Sequence, residues 1–192
     1  MLFYRSNPSS NIKMPLHETL NKISEKLFHD GFEDAKAGVG IIFRMDQGIL
    51  KILLVKRAKI PNDPWSGDMA FPGGKRSSED NSIGDTVKRE VMEETGIDLN
   101  KGQYLGRMMP EYSTVKRGLA VIPLLYLLEE KPDITINNEL DGYYWTDFEK
   151  LKWRCGRSIV KNFDVPVFDI RDERVWGLTY RMLQRLITTA VI

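Results

Sequence analysis

A glycine turn followed by a glutamate-rich amphipathic helix is the sequence feature that most constrains the fold. Residues 71–74 (Phe-Pro-Gly-Gly) end a short apolar strand, and apolar spacing predicts a helix over residues 82–95. Within that helix Glu90, Glu93 and Glu94 stand at positions i, i+3 and i+4. Residues at this spacing are neighbours on one helix face, so the three carboxylates are expected within reach of one common point.

This carboxylate cluster predicts a metal site. Three like charges beside a buried stripe are costly unless a cation neutralises them, and hard divalent cations such as Mg²⁺ and Mn²⁺ are the usual partners of oxygen-only sites. Because Gly73 and Gly74 have no side chains, their backbone carbonyls can approach the same ion. We therefore expect loop, helix and metal to form one unit. The alternative is a solvated helix face on which Arg89 pairs with Glu93.

The segment resembles the Nudix box, the signature of hydrolases that cleave nucleoside diphosphates linked to another moiety. Residues 89–97 match the second half of the box throughout, and Gly74 supplies its first glycine. Asp80 stands where the family has Glu, and eight residues instead of seven separate it from Arg89. This expansion resembles the coenzyme A pyrophosphatase branch. The resemblance implies that Asp80, or Glu79 because of the expansion, braces the loop.

The likeness covers about residues 37–187 and is similar to the coenzyme A branch on both sides of the box. It includes residues 53–57 and 70–74 upstream, and residues 176–179 (Trp-Gly-Leu-Thr) downstream. The loop at residues 61–67 lacks the Leu-Arg-any-His-any-Gly element expected of coenzyme A pyrophosphatases. The resemblance therefore supports the reaction more strongly than the substrate.

The resemblance also implies a role for each residue of the box. Glu90 and Glu94 are implied as the principal metal ligands, and Gly74 as a ligand through its carbonyl. Glu93 is a ligand or the group that activates water, and Glu90 is a second candidate for the base. Arg89 orients a glutamate through an ion pair. With Mg²⁺ or Mn²⁺ as the cofactor, the implied reaction is metal-assisted attack of water at phosphorus.

Residues beside the box are candidates for substrate contact. Lys56 and Arg57 end a strand and could hold a phosphate, although such a pair is as often merely solvated. Trp65 or Tyr112 could stack on a nucleobase, although a lone aromatic side chain is more often packing. The predicted substrate-binding residues are Lys56, Arg57, Trp65, Gly73 and Gly74.

Charge and composition exclude several classes of function. The 192 residues fit one domain, and 28 Lys plus Arg against 27 Asp plus Glu give a net charge of +1. So balanced a charge provides no broad field for nucleic acid or an anionic membrane. The longest apolar run, residues 119–128, contains Pro123 and is too short to cross a bilayer as a helix. Two histidines and one cysteine cannot form a closed zinc site.

The N-terminus and the single cysteine bear on location. The first sixteen residues hold no apolar segment of signal-peptide length, so we expect no export. Cys155 cannot form an internal disulfide and is interpreted as a buried or idle thiol. Both observations favour a reducing, cytoplasmic setting.

Apolar periodicity predicts the remaining elements. We expect an N-terminal segment at residues 1–33, whose amphipathic helix packs on a hydrolase domain at residues 34–192. The predicted elements are a helix over Leu16–Phe32, strands over Ala37–Met45, Ile49–Arg57 and Met69–Phe71, a loop over Lys59–Gly67, strands over Tyr104–Thr114, Leu119–Leu128 and Gly142–Trp145, a helical turn over Asp147–Trp153, and a last helix from Arg174 or Val175. Strands and helices do not alternate regularly, so we expect an α+β fold, an α-β-α sandwich of the Nudix type with a mixed β-sheet flanked by helices.

These observations together predict a Mg²⁺-dependent Nudix pyrophosphohydrolase that cleaves the diphosphate of a nucleoside diphosphate derivative, with coenzyme A-like compounds favoured. ADP-ribose, dinucleoside polyphosphates and damaged nucleoside triphosphates stay open as substrates. A catalytically silent nucleotide-binding module on the same fold is the alternative from another class, and the three retained box glutamates argue against it. We expect a small-molecule nucleotide derivative as partner, with no membrane and no long nucleic acid. A homodimer stays open.

Overall fold

A computed structural model describes residues 17–31 and 35–191, the last residue by its backbone alone. Within them the chain forms α1 (Glu18–Ser24), β1 (Ala37–Asp46), β2 (Ile49–Arg57), β3 (Met69–Ala70), β4 (Gly73–Lys75), α2 (Ile83–Thr95), β5 (Gln103–Arg107), β6 (Glu111–Tyr112), β7 (Ala120–Leu128), β8 (Leu140–Asp147), β9 (Cys155–Val160), β10 (Phe163–Ile170), β11 (Glu173–Val175) and α3 (Gly177–Val191). Short 3-10 turns lie at Leu99–Lys101 and Leu151–Trp153.

Among the described residues, eight strands form one mixed sheet around the parallel pair of β1 and β7. The sheet order is β3-β2-β1-β7-β5, with β4 also paired to β1, β6 to β7 and β8 to β2. β1 and β2 form the predicted hairpin, and Gln47 and Gly48 in its turn both have positive φ. Two such residues give the twist that antiparallel strands need. The mixed sheet predicted from the sequence is confirmed.

Helices cover both faces of this sheet. Successive side chains of β1 point to opposite faces, so each face contributes to its own apolar cluster. Ile42 belongs to one apolar cluster, together with Val87 and Val91 of α2. Ile41 and Phe43 belong to the other cluster, in which α1 and α3 take part. The predicted α-β-α arrangement is therefore confirmed.

Glycines in β1 allow α2 to lie close against the sheet. A Cβ at Gly38 would lie 2.7 Å from Cγ2 of Val87, and one at Gly40 would lie 3.0 Å from Cγ2 of Val91. Larger residues at either position would push the helix away from the strand. These two glycines thus set the distance between α2 and the sheet on which the candidate site is built.

Residues 155–175 form a second sheet of β9, β10 and β11 that the sequence analysis did not predict. The hairpin of β9 and β10 is largely exposed, so its apolar residues lack the alternation by which a half-buried strand is recognised. Both residues of its turn, 161–162, have positive φ. The last helix begins at Gly177, because Arg174 and Val175, where we expected it to start, lie in β11.

The N-terminal helix is shorter than predicted. α1 ends at Ser24, and the chain then turns so that Phe28 forms an isolated bridge with Arg107 of β5. The predicted ends of this helix, Leu16 and Phe32, lie outside the described residues. α1 contacts α3, and the predicted division into an N-terminal segment and a hydrolase domain stays a prediction.

Other elements differ from their predicted bounds. The strand expected over Tyr104–Thr114 is divided into β5 and β6, since Pro110 has no N–H with which to continue a ladder. The strand expected over Gly142–Trp145 is part of the longer β8. The helical turn expected over Asp147–Trp153 is limited to its last three residues. The glycine turn itself contributes a strand, β4, which the sequence did not indicate.

Candidate active site

Two adjacent glycines let β4 lie in the narrow space between β1 and α2. Gly73 has a φ of 145°, and a Cβ there would lie 2.4 Å from the carbonyl oxygen of Gly38. A Cβ at Gly74 would lie 2.4 Å from Cδ of Glu90. Any side chain at either position would therefore displace the backbone or the carboxylate.

Local signals fix where α2 begins and ends, and thereby which residues face β4. Ser82 and Asp85 form a capping box, in which each side chain accepts a hydrogen bond from the other residue's N–H. A glycine in the left-handed conformation, with a φ of 73°, follows the last residue. With the helix so placed, Glu90 and Glu94 contact β4, whereas the Glu93 side chain is 55% exposed.

Glu94 is a deeply buried carboxylate, with 3% of its surface exposed. Its Oε2 accepts a hydrogen bond of 2.9 Å from the Gly73 N–H. Burial raises the pKa of Glu94 to about 7. The Gly73 N–H opposes this rise in pKa, whereas the charges of Glu90 and Glu139 add to it. Burial likewise raises the pKa of Glu90 above its ordinary value.

An ion pair ties the loop after β4 to α2. Both carboxylate oxygens of Asp80 accept hydrogen bonds of 3.0 Å from the Arg89 guanidinium. Asp80 also accepts hydrogen bonds from the Ser77 N–H and the Thr86 hydroxyl. The Arg89 guanidinium holds the pKa of Asp80 well below its usual range. We call this pair the Asp80 brace; the neighbouring Glu79 is exposed and takes no part in it.

Arg89 also contacts two of the three box glutamates. Its Nη2 lies 3.0 Å from Oε1 of Glu90, and its Nη1 lies 3.1 Å from Oε2 of Glu93. Arg89 thus contacts Glu90 and Glu93, whereas Glu94 accepts a hydrogen bond from the Gly73 N–H, so the three glutamates have different partners. Within the described residues, no group of three or more Asp, Glu, His or Cys side chains is arranged to hold a metal ion. The pairing of Arg89 with Glu93 is present, but Glu94 is not on a solvated face.

The chemistry of the donors nevertheless fits a hard divalent cation. Glu90 and Glu94 supply carboxylate oxygens whose burial favours a neutralising charge, and the β4 backbone lies against both. The hydrogen bonds on either side of β4 make Gly74 and Gly38 a directly bonded pair of the antiparallel ladder. The N–H and carbonyl of Gly73 consequently point away from β1, whereas those of Gly74 are used in the ladder. The Gly73 carbonyl is therefore better placed to be a ligand than the predicted Gly74 carbonyl.

A cavity of about 590 Å³ lies over this arrangement. The predicted residues that line it are Arg57, Trp65, Gly73, Gly74, Glu90, Glu93 and Glu94. Arg57 is paired with Asp63 at 2.9 Å. Lys56 does not line the cavity but pairs with Glu173 of β11, since successive strand residues point to opposite faces. Tyr112 is 63% exposed and lies outside the cavity lining. The structure does not support a substrate contact by Lys56 or Tyr112.

Two sides of the cavity differ in chemistry. We name the acidic side, consisting of residues 73–75 with Glu90, Glu93 and Glu94, the carboxylate wall. We name the side formed by residues 61–68, which carries the Trp65 ring, the loop wall. Both border the same opening.

Residues remote in sequence fasten the loop wall. Lys161, in the turn between β9 and β10, donates a hydrogen bond of 2.8 Å to the Pro64 carbonyl and pairs with Asp68 at 2.8 Å. Nε1 of Trp176 donates to the same Asp68 carboxylate at 3.1 Å. The Lys161 ammonium also lies over the Trp176 ring, 5.3 Å from its centroid. The unpredicted second sheet therefore shapes the mouth of the cavity.

Sequence reasoning missed Glu139 as well as these anchors. Glu139 lines the cavity, and its negative charge contributes to the raised pKa of both Glu90 and Glu94. It stands in a polar connection ahead of β8, far from the box, and no local pattern distinguishes it there from a surface acid. Only the pairing of β8 with β2 brings it to the site.

Two findings bear on the setting of the protein. Over the part of the chain that the structure describes, none of the helices combines the length and the hydropathy that crossing a bilayer would take. Cys155 is exposed, contrary to a buried thiol, and its sulfhydryl lies 3.5 Å from the Lys152 carbonyl.

Comparisons with known proteins agree with the geometry. A family model described as NUDIX domain matches residues 34–163. The chain is 29% identical over 171 residues to the Arabidopsis thaliana protein "Nudix hydrolase 15, mitochondrial", a match that covers 81% of this chain and 59% of that protein. It is 26% identical over 156 residues to the Mus musculus mitochondrial coenzyme A diphosphatase NUDT8, with 76% and 73% of the two chains covered.

A solved structure shares the fold. The crystal structure of a Nudix hydrolase from M. smegmatis, RenU, matches with a TM-score of 0.57 at 18% identity, over 82% of this chain and 87% of that one. At this identity the likeness concerns the fold alone. The chain spans less than two thirds of the length of the Arabidopsis relative.

Proposed function

The chain belongs to the Nudix family, and from this premise we propose that it hydrolyses the diphosphate bond of a nucleoside diphosphate derivative. The observation that carries the proposal is the contact between the buried Glu94 carboxylate and the Gly73 backbone at the cavity. Burial and neighbouring acids raise the pKa of this carboxylate to about 7, and a bound cation would neutralise the charge that they disfavour.

The glutamates of the carboxylate wall and the Gly73 carbonyl take roles in this reaction. When bound, a divalent cation such as Mg²⁺ or Mn²⁺ neutralises diphosphate charge and lowers the pKa of water. Glu90, Glu94 and the Gly73 carbonyl would hold it, and Glu93 stays a predicted ligand or base. Arg89 positions Glu90 through their ion pair of 3.0 Å.

Glu139 is a further candidate for the group that accepts a proton from the attacking water. It lines the same cavity as Glu90 and Glu94, and it is not engaged by Arg89. Its charge acts on both of those carboxylates. A base that faces the ligands without pairing to the brace is free to take up the proton.

Coenzyme A-like compounds are the favoured substrates. The expanded box with Asp80 and the segment at residues 176–179 support this choice, as does the similarity to a mouse coenzyme A diphosphatase. The loop wall opposes it, because it lacks the expected histidine element and presents Trp65 instead. ADP-ribose, dinucleoside polyphosphates and damaged nucleoside triphosphates are the alternatives within the same chemistry.

Steady-state hydrolysis with product mass analysis tests the proposal. At one Mg²⁺ concentration, kcat/KM is measured for coenzyme A, ADP-ribose and a dinucleoside polyphosphate. We expect coenzyme A to be split into 3′,5′-ADP and phosphopantetheine, EDTA to stop turnover, and Mg²⁺ or Mn²⁺ to restore it. If coenzyme A ranks last by a hundredfold, about 2.7 kcal/mol, the substrate choice is wrong and the reaction class stands.

A catalytically silent binding module is the second candidate function. It would bind these nucleotides without turning them over in the presence of Mg²⁺ or Mn²⁺. Activity that persisted after exhaustive chelation would instead contradict the metal-assisted reaction.

A cytoplasmic location, the exclusion of long nucleic acid and the oligomeric state stay predictions, and relatives of the chain include mitochondrial proteins.

A further inference from the structure

A second cavity, of about 370 Å³, lies beside the N-terminal end of α2. Among the described residues, Arg76, Lys88 and Arg107 line it together with one acid, Asp85. The lining of the 590 Å³ cavity carries two cations and six acids within the described residues. The two cavities therefore have opposite charge, and the smaller one favours an anion.

An unpartnered hydroxyl marks the interior of this second cavity. Tyr126 is 2% exposed and its side chain lines the cavity, and its hydroxyl makes no hydrogen bond within the described residues. Burial raises the pKa of Tyr126, so the group stays an O–H donor. A hydroxyl that faces the cavity without a protein acceptor is available to donate to a ligand.

Lys88 is the cation of the cavity that retains donor capacity. Lys88 forms no ion pair or hydrogen bond within the part of the chain that the structure describes. Arg107 donates to the carbonyls of His29 and Gly31 and contributes its positive charge to the lining. The first turn of α2 adds backbone N–H groups at the same place.

An aromatic face adjoins these donors. The Tyr104 ring lines the cavity, is 40% exposed, and lies with its centroid 5.3 Å from that of the Tyr126 ring. An exposed ring in this position can take the flat face of a nucleobase. The cavity volume exceeds what a phosphate ion needs alone, and among the described residues its lining carries more positive than negative charge.

We propose that this second cavity binds a nucleoside monophosphate, with the phosphate at Lys88 and the Tyr126 hydroxyl and the base against Tyr104. The proposal does not rest on the hydrolytic function, because no residue of the carboxylate wall or the loop wall lines this cavity. It adds to the chain a phosphate site that is built without a metal ion.

Calorimetric titration of the full chain in EDTA tests the proposal, with AMP, adenosine and inorganic phosphate as separate probes. We expect AMP to bind more tightly than either fragment. Lys88→Gln and Tyr126→Phe are each expected to raise the Kd for AMP at least fivefold. Tyr126→Phe removes only the unpartnered oxygen, so folding is retained and is checked by thermal unfolding. The matched control is Lys75→Gln, which alters a lysine of the 590 Å³ cavity and leaves the Kd unchanged.

Three results would overturn the proposal. AMP that shows no binding at millimolar concentration excludes the site. A Kd that is insensitive to Lys88→Gln and Tyr126→Phe, or one that rises in Lys75→Gln, places the nucleotide elsewhere. Inorganic phosphate that binds as tightly as AMP removes the nucleoside from the assignment. A chain that binds AMP through Lys88 but hydrolyses no diphosphate retains this site and loses the proposed function.

Discussion

The carboxylate wall and the loop wall border one cavity but are held in place in opposite ways. The carboxylate wall depends on contacts within residues 73–96, from the hydrogen bond between Gly73 and Glu94 to the Asp80 brace. The loop wall depends on Lys161 and on Trp176, which immediately precedes α3, at sequence separations of 97 and 108 residues. The chemistry of the site is thus encoded locally, whereas the shape of its substrate side depends on long-range packing.

The largest expected effect comes from neutralising the carboxylate wall. Glu94→Gln keeps side-chain volume and helix propensity but gives a far poorer ligand for a hard cation. We expect kcat to fall by about 10³-fold or more, roughly 4 kcal/mol of transition-state stabilisation. Glu79→Gln, on the exposed acid beside the brace, is the matched control and leaves kcat unchanged. Near-wild-type turnover of Glu94→Gln at saturating Mg²⁺ would contradict the metal assignment.

Breaking the Asp80 brace is expected to loosen the same wall and the fold together. Asp80→Asn removes the bidentate carboxylate partner of the partly buried Arg89 guanidinium, which keeps only its contacts with Glu90 and Glu93. We expect the free energy of unfolding to fall by about 2–3 kcal/mol, below the full cost of breaking a buried pair because Arg89 is partly solvated. Urea unfolding measures the loss. If Asp80→Asn and Glu79→Gln unfolded at the same urea concentration, the brace would carry no stability.

The pH dependence of metal-free stability sharpens the contrast between buried and exposed acids. Glu94 has a folded pKa of about 7, raised above its unfolded value, so its stabilising contribution is complete below the unfolded pKa and is lost as pH rises through 7. In EDTA, wild type should therefore lose about 2–3 kcal/mol relative to Glu94→Gln between pH 4 and pH 8. Thermal unfolding of both proteins measures this difference. Parallel pH profiles would show that the Glu94 carboxyl titrates normally.

The smallest expected effect comes from releasing the loop wall. Lys161→Met removes the ammonium that holds Pro64 and Asp68 but keeps the length of the side chain. We expect KM to rise about three- to tenfold with kcat nearly unchanged, because the chemistry stays with the carboxylate wall. Lys152→Met, whose ammonium lies over the Trp153 ring, is the control. A fall in kcat at constant KM would show that the two walls are not separable.

The local contacts explain why the sequence predicted one wall and not the other. The capping residue Ser82, the closing glycine and the spacing of Glu90 and Glu94 all act within two or three turns of chain, so pattern reasoning finds them. The choice between Asp80 and Glu79 was left open, because only the direction of the side chain decides it. Rotamers likewise decide that Arg89 contacts both Glu90 and Glu93, which spacing cannot indicate.

The second sheet marks the limit of the periodicity argument. β9 and β10 expose most of their side chains, so their pairing comes from backbone hydrogen bonds and the turn at residues 161–162, and not from a buried stripe. Lys161 reaches the loop wall only through this pairing, and Glu139 reaches the cavity only through that of β8 with β2. Lys56 shows the converse, since a plausible strand-end cation is turned away by the pleat and pairs with Glu173.

The parallel pairing of β1 with β7 has a consequence for the order in which the protein folds. Gly38 pairs with Ile122 and Arg44 with Leu128, so the whole Nudix box lies inside the loop that this pairing closes. Closing so long a loop has an entropic cost that local contacts do not repay, and parallel pairings form slowly. A nascent chain that has emerged only as far as α2 holds every box residue but lacks the strand that completes the sheet beneath them. Ligand affinity should therefore arise late in synthesis, once β7 has left the ribosome.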